Sequence, residues 1–364
     1  MYFKKIRGKI QLSKRFLCLL LALVMVLALF AGCTKPETPD PEDEGEISTE
    51  PEVPAYSFGM VTDVGGIGDK SFNDSAWAGI EKAGSELGVE PKLLQSTKQD
   101  DYPPNLGNMA QSVDLTLAVG FLFEDAMNTT ADQYPDKYFG LIDEVVDKPN
   151  VMSVTFKEHE GSFLVGVIAG LTTKSNVIGF VGGMDFPVIN RFEAGFIAGV
   201  KSANPKAKVI VNYTGAFDDP DKGKEVALTQ FQQKADVIFH ASGACGIGVI
   251  MAADEKDFWA IGVDMDQAAE STKNKVLCSM IKRVDVATYT VIQSYVNNDF
   301  KGGAANALEL GLKEDGVGVG DGGNNVSAEL SAIADKYKEA INDGTIVVPS
   351  TREELEEFEP VEIE

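Results

Sequence analysis

From Ser57 onward, short apolar runs alternate with amphipathic stretches, and that alternation constrains this chain more than any other feature. The runs are SFGMVT from Ser57, DLTLAVG from Asp114, KYFGLID from Lys137, VMSVTF from Val151 and NVIGFVGG from Asn176. KVIVNYTG from Lys208, DVIFHAS from Asp236, FWAIGVD from Phe258 and VLCSMI from Val276 continue the series. Between the first two, Asn73 to Leu87 repeats Trp77, Ile80, Gly84 and Leu87 on one helical face, and Gly88 offers the left-handed stop a helix needs. A strand buried on both faces reads as an unbroken apolar run, so the pattern predicts right-handed βαβ units and parallel sheets covered by helices on both sides. Folded sequence begins near Ala55. It spans about 310 residues, more than one core usually holds, and two lobes are expected.

Ligands of such sheets bind beyond the carboxyl ends of the strands. The residues standing there are Asp63, Asp143, Phe217 with Asp218, Gly243 and Asp264: carboxylates, an aromatic ring and a glycine. That is an inventory for hydrogen bonding and ring stacking. Gly65 to Ser71 (GGIGDKS) follows a strand and precedes a helix, but it lacks the glycine spacing of a phosphate loop, and Asp69 would repel a phosphate. Its glycines suit close approach to a neutral ligand. Gly316 to Gly323 (GVGVGDGG) reads as a flexible connection.

Catalytic and metal chemistry find little support. Asp218, Asp219 and Asp221 lack calcium-loop spacing. His159 and His240 are the only histidines, neither within a zinc motif, and no GxSxG elbow occurs. No cofactor, metal or enzymatic activity is expected. A pair of carboxylates acting as acid and base is the catalytic alternative that survives.

The first residues decide where the body works. Lys4, Lys5, Arg7, Lys9, Lys14 and Arg15 precede an apolar run from Phe16 to Phe30 and then Ala31, Gly32 and Cys33. This order reads as a signal peptide over residues 1–32, with Cys33 as a lipidated N-terminus in the manner of a bacterial lipobox. The apolar run is short for a span of ~20 residues. Residues 33–54 hold the lipidated Cys and an acidic, proline-rich segment too polar to bury a core, read as a disordered tether. The net charge of −24 becomes more negative once the leader cations are removed, which makes nucleic-acid polymers poor partners. Beyond Cys33, Cys245 and Cys278 remain, and both are expected to be reduced in the interior.

DVGGIGDKSFNDSAWAGI from Asp63, YFGLID from Tyr138, FDDPDKGKE from Phe217, GVDMDQ from Gly262 and SMIKRVDVA from Ser279, in this order, closely resemble the basic membrane protein family. Its members are substrate-binding lipoproteins of ABC transporters, among them bacterial purine nucleoside receptors. The resemblance implies an α/β, type I periplasmic-binding-protein fold, with two doubly wound parallel-sheet lobes joined by a three-stranded hinge. It divides the body into an N-terminal lobe of residues 55–157 plus 284–316, a C-terminal lobe of residues 158–283 plus 317–350, and an acidic tail at 351–364.

The function it implies is capture of nucleosides, purines above all, in the interlobe cleft. Delivery to an importer's separate permease and ATPase subunits would follow, with the protein a monomer lipid-anchored at the extracytoplasmic face of the membrane. Phe72 and Phe217 match the family's stacking pair, with Phe192 a rival for the second ring. Asp264 and Lys282 match the ribose-binding positions and would neutralise one another. Asp63, Asn73 and Asp143 would read base-edge donors, and Gly243 would admit backbone contact. A sugar or autoinducer-type receptor on the same fold is the alternative.

Overall fold

The structure, a computed structural model, describes residues 56–363. The signal, lipidation and tether readings fall on residues outside that range. Among the described residues no helix is long and apolar enough to cross a membrane.

Two six-stranded sheets organise the body. The first contains β1 (Phe58–Thr62), β2 (Lys92–Leu94), β3 (Leu115–Val119), β4 (Tyr138–Ile142), β5 (Val151–Phe156) and β11 (Leu308–Leu310), in the order β11-β5-β4-β3-β1-β2. All its pairings are parallel. The second contains β6 (Val177–Gly182), β7 (Lys208–Tyr213), β8 (Val237–Ala241), β9 (Trp259–Asp264), β10 (Val276–Lys282) and β12 (Val317–Gly320), in the order β12-β10-β9-β8-β6-β7. Here β12 alone runs antiparallel, against β10. The nine apolar runs of the sequence are all strands.

Helices cover both faces of each sheet, as continuous apolar strands require. On the first, α1 (Phe72–Leu87) and α8 (Val284–Val296) bury Phe58, Met60 and Leu117 with Ile80 and Val291. On its other face, α2 (Tyr102–Ser112) and α3 (Glu124–Gln133) enclose Val61, Phe139 and Leu141 with Leu106 and Met127. On the second sheet, α4 (Glu158–Thr172) and α5 (Pro187–Ala203) pack Phe163 and Phe196 onto Phe180 and Phe239. Opposite them, α6 (Pro220–Gln232) and α7 (Cys245–Lys256) pack Ala227, Val249 and Ile250 onto Val181 and Ile238. The α4–α5 seam depends on glycine: a methyl on Gly199 would overlap the Phe163 carbonyl, and one on Gly166 the Phe196 carbonyl.

Local signals hold in detail. Gly88 adopts φ 65° and returns its N–H to the Gly84 carbonyl, closing α1. Ile80 and Gly84 are buried as the periodicity requires, while Trp77 and Leu87 sit at the half-buried edge of that face. Asp219 caps α6 by accepting from the Asp221 and Lys222 amides. Cys245 and Cys278 are free thiols, both buried.

Two readings need correction. Gly316–Gly323 is not merely a flexible connection, because Val317–Gly320 pairs along β10 from Lys282 to Ser279. Its Val-Gly-Val-Gly alternation has the period of a strand, and an edge strand needs little side-chain packing on its outer side. Residues 351–363 are likewise not a free acidic tail. After α9 (Ala328–Asn342), α10 (Arg352–Glu357) begins with a capping box between Thr351 and Glu354. Arg352 reaches Glu193 at 2.7 Å, Asp185 at 3.1 Å and the Tyr213 hydroxyl at 2.9 Å. Leu355, Phe358, Val361 and Ile363 then pack against the core.

The chain passes between the two sheets three times: from β5 into α4, from β10 into α8, and from β11 to β12.

Candidate ligand-binding site between the lobes

A cavity lies where the carboxyl ends of both sheets face one another, with about 50 Å³ open to the centre of a water-sized probe. Of the ten residues singled out in the sequence, nine line it: Asp63, Phe72, Asn73, Asp143, Phe192, Phe217, Gly243, Asp264 and Lys282; Asp218, beside Phe217, does not. Most arrive by strand ends. Asp63 directly follows β1 and Asp143 follows β4, while Asp264 ends β9. Asp143 and Asp264 hold φ of 75° and 64°, a left-handed conformation that a short polar side chain tolerates better than a bulky one. Gly243 sits at φ 55°. Phe72 is the first residue of α1 rather than part of the preceding loop. Phe217 lies in the loop after β7, and the missing side chain of Gly183 makes room for its ring.

The loop Gly65–Ser71 explains why no phosphate belongs at the α1 N-terminus. The Asp69 carboxylate accepts from the amides of Ser71 (3.0 Å), Asn73 (2.8 Å) and Asp74 (3.1 Å). Asp69 thereby fills the amide cluster that an anion would otherwise use. The Asn73 side-chain amide donates to Asp63 at 2.8 Å and to Asp69 at 3.1 Å, and Asp63 also accepts from the Gly65 amide at 2.8 Å. These bonds fix the wall of the first lobe before any ligand arrives.

Lys282 is 2 % exposed, with its ammonium 2.7 Å from Asp143 and 3.1 Å from Glu158. Three aromatic rings surround it: Phe156, Phe72 and Phe192, with centroids 4.9, 5.1 and 5.5 Å away. This corrects the expected Asp264–Lys282 pair. Asp264 instead accepts from the Ser71 hydroxyl of the opposite lobe. Behind the ammonium, Arg191 donates to Glu158 at 2.6 Å. Burial opposes charge on Lys282, but Asp143, Glu158 and Asp264 outweigh it and keep the ammonium protonated. Burial likewise opposes charge on Glu158, but Lys282 and Arg191 hold its carboxyl below the usual range.

Two carboxyls behave differently. Burial pushes Asp63 up to about 7 against the hydrogen bonds of Asn73 and Gly65, and pushes Asp264 to about 7 against the field of Lys282. Burial also raises Asp69. Three buried polar atoms in the cavity-lining residues have no partner: Asn73 Oδ1, Asp143 Oδ1 and Ser242 Oγ. Burial raises Asp143 too, against the field of Lys282. Asn73 Oδ1 can only accept, and so can Asp143 Oδ1 while its carboxylate is ionised beside Lys282, so a ligand that satisfies both brings hydrogen-bond donors. Such atoms are costly when left unsatisfied.

Sequence reasoning did not assign Asp69, Phe121, Ser242, Val188 and Ile189 to the cavity lining, nor Glu158 and Arg191 to the support behind it. Phe121 meets Phe217 edge-on at 6.1 Å and Phe186 at 5.2 Å, so ring contacts bridge the lobes beside the cavity. The Phe-Leu-Phe run at Phe121 follows Gly120 at a strand end, the same signal that drew attention to Asp63. It was masked by its apolar character. Glu158 begins α4 and looks like any first-turn carboxylate. No group of three or more potential metal ligands occurs among the described residues.

Residues 57–352 match the ABC transporter substrate-binding protein family described as PnrA-like. The chain is 38% identical to the CD4+ T-cell-stimulating antigen of Listeria innocua, over 93% of this chain and 99% of that protein. It is 34% identical to the ABC transporter nucleoside-binding protein BmpA of Lactococcus lactis, over 93% of this chain and all of that one. Among solved structures, an ABC transporter solute-binding protein of Aeropyrum pernix superimposes with a TM-score of 0.74 at 29% identity, covering 83% of this chain and 96% of that one.

Proposed function

This chain belongs to the PnrA-like family of ABC transporter substrate-binding proteins, and from that premise we propose that its cargo is a nucleoside, a purine nucleoside foremost. The observation that carries the reading is the chemical bias of the cavity. Acceptor atoms lacking donors, at Asn73 and Asp143, stand among the rings of Phe72, Phe121, Phe192 and Phe217. A flat base with amino and ring N–H groups, joined to a ribose with three hydroxyls, supplies both the faces and the donors. Stacking adds about 0.5–1.5 kcal/mol per ring beyond simple burial.

In this reading Asp63 and Asn73 meet the base edge. Asp264, Lys282 and the Gly243 backbone hold the ribose, with Asp143 steadying the lysine and offering its free oxygen. Hydrogen bonds to charged groups contribute about 1.5–3 kcal/mol each. A phosphate brings negative charge and no donor into a cavity lined by four aspartates and one lysine, and Asp69 has already taken the helix amides. The name of the Lactococcus relative, a nucleoside-binding protein, supports the same cargo class. In this reading the leader and Cys33 anchor the protein by lipid at the outer face of the membrane, where it would present its cargo to a separate permease and ATPase.

Calorimetric titration of refolded, ligand-stripped protein tests this with adenosine, guanosine, inosine, cytidine, uridine, ribose, galactose and AMP. A nucleoside should bind tightly and AMP at least ~100-fold more weakly, as expected when a charge is buried unpaired. Comparable affinity for AMP and adenosine would sink the reading. A response to ribose or galactose alone would replace the nucleoside by a sugar.

A further inference from the structure

Gln267 lies outside the ligand cavity, yet it spans the two lobes. It opens a single 3-10 turn just after β9, capped by the Asp266 side chain on the Ala268 amide at 3.1 Å, and is 2 % exposed. Its backbone N–H donates to Ser279 Oγ at 3.1 Å. Its side-chain Oε1 accepts from the Val263 N–H at 3.0 Å and lies 2.9 Å from His240 Nε2. Val263 N can only donate, which identifies that side-chain atom as the oxygen. His240 Nε2 must therefore carry a hydrogen. Burial drives the His240 pKa down to about 4, so the ring is neutral with its proton on Nε2. The reverse amide orientation would set N–H groups against two N–H donors.

One consequence of this fixed orientation is that the Gln267 amide nitrogen points outward from its own lobe. It donates to the Lys70 carbonyl of the opposite lobe at 2.8 Å. Lys70 is itself in the left-handed region, at φ 54°, between Asp69 and Ser71. A non-glycine residue held there stores conformational strain, which persists only where surrounding structure enforces it. The strained turn aims the carbonyl at the incoming amide. Neither Lys70, His240 nor Gln267 borders the ligand cavity.

We propose that Gln267, preset by His240 and Val263, is a positioning residue that catches the Lys70 carbonyl when the lobes close and so governs how long cargo stays bound. The catch is assembled wholly from protein groups. It forms on closure whatever the ligand, and it acts on release rather than on entry. It goes beyond the nucleoside reading, because it concerns the lobes themselves.

The test compares wild type with Gln267→Met and His240→Leu by stopped-flow kinetics, using adenosine, guanosine and inosine. Gln267→Met should raise the dissociation rate about fivefold, the weight of one net hydrogen bond, with the association rate unchanged within twofold. His240→Leu should give a smaller rise in the same rate, since Val263 still orients the amide. A merely structural loss would lower the melting temperature without separating the two rates, and an unchanged dissociation rate in both variants would overturn the catch. Small-angle scattering of the ligand-free proteins supplies an independent reading. Gln267→Met should have the larger radius of gyration, and equal radii would count against the catch. If no nucleoside binds wild type, the cargo assignment fails and scattering alone decides on the catch. If Gln267→Met does not fold, His240→Leu carries both measurements.

Discussion

The cleft wall contributed by the first lobe carries Asp63, Asp69, Asn73 and Asp143 beside the rings of Phe72 and Phe121, whereas the wall from the second presents Val188, Ile189, Phe192, Phe217 and Val263. On the first wall the polar groups hold one another: Asn73 is clamped between Asp63 and Asp69, and Asp69 is anchored on helix amides. On the second, Asp264 and Ser242 are the polar exceptions within apolar surface. A pre-ordered polar wall discriminates by the positions of donors, because a ligand with the wrong edge leaves buried acceptors unpaired. An apolar wall rewards area and flatness with little regard for edge chemistry. Lys282 ends β10, where the chain passes to the first lobe, and joins the two plans.

Removing that junction should have the largest effect. Lys282→Met leaves Asp143 and Glu158 facing one another without their shared cation and should cost about 3–5 kcal/mol of stability, read by urea unfolding. Near-wild-type stability would mean that Arg191 alone suffices for both carboxylates. Next comes Asp264→Ala, expected to weaken nucleoside binding ~100-fold or more, the value of two charge-assisted bonds, while the protein stays folded. Unchanged affinity would remove Asp264 from the site and leave Ser242 as the polar exception on the second wall.

A pH experiment sharpens the first wall. The unfolded Asp63 carboxyl titrates at the ordinary 3.8 and the folded one at about 7, so between those values the native state binds more protons than the unfolded state. Stability from this group is fully present below about 4 and is lost as the pH rises through about 7. The stability difference between wild type and Asp63→Asn should therefore shift by on the order of 2 kcal/mol from pH 5 to pH 8, in favour of wild type at the acid end. A pH-independent difference would show that Asp63 is charged throughout. The smallest effect tests stacking. Phe72→Ala should weaken adenosine, guanosine and inosine by a similar factor of about ten, since any base offers a π face. A loss confined to one base would place Phe72 among the edge-reading groups.

The architecture was legible because most strands are buried on both faces, so an apolar run marked every strand of five residues or more, and helical periodicity marked α1. Strands β2 and β11, three residues each, were too short to carry a pattern, and the glycines of β12 concealed its period of two. At the site, Asp63, Asp143 and Asp264 announced themselves by standing at strand ends. Glu158 did not, since nothing in the sequence links the start of α4 to the end of β10. The partners of Lys282 were misread because the resemblance joined it to Asp264 through a shared ligand, while the fold brings Asp143 and Glu158 near it in space. Arg352 gave no sign that the acidic end of the chain is clamped to α5.

Asp69, seated on the helix amides, has a consequence for the energetics of uptake. On the proposed reading, a receptor whose own carboxylate excludes phosphate loads its importer with electrically neutral cargo. Moving one elementary charge through a membrane at 100 mV involves about 2.3 kcal/mol, and for a neutral nucleoside that term vanishes. Membrane voltage would then neither assist nor resist the import step, leaving nucleotide hydrolysis on the far side to supply the work of concentrating the cargo.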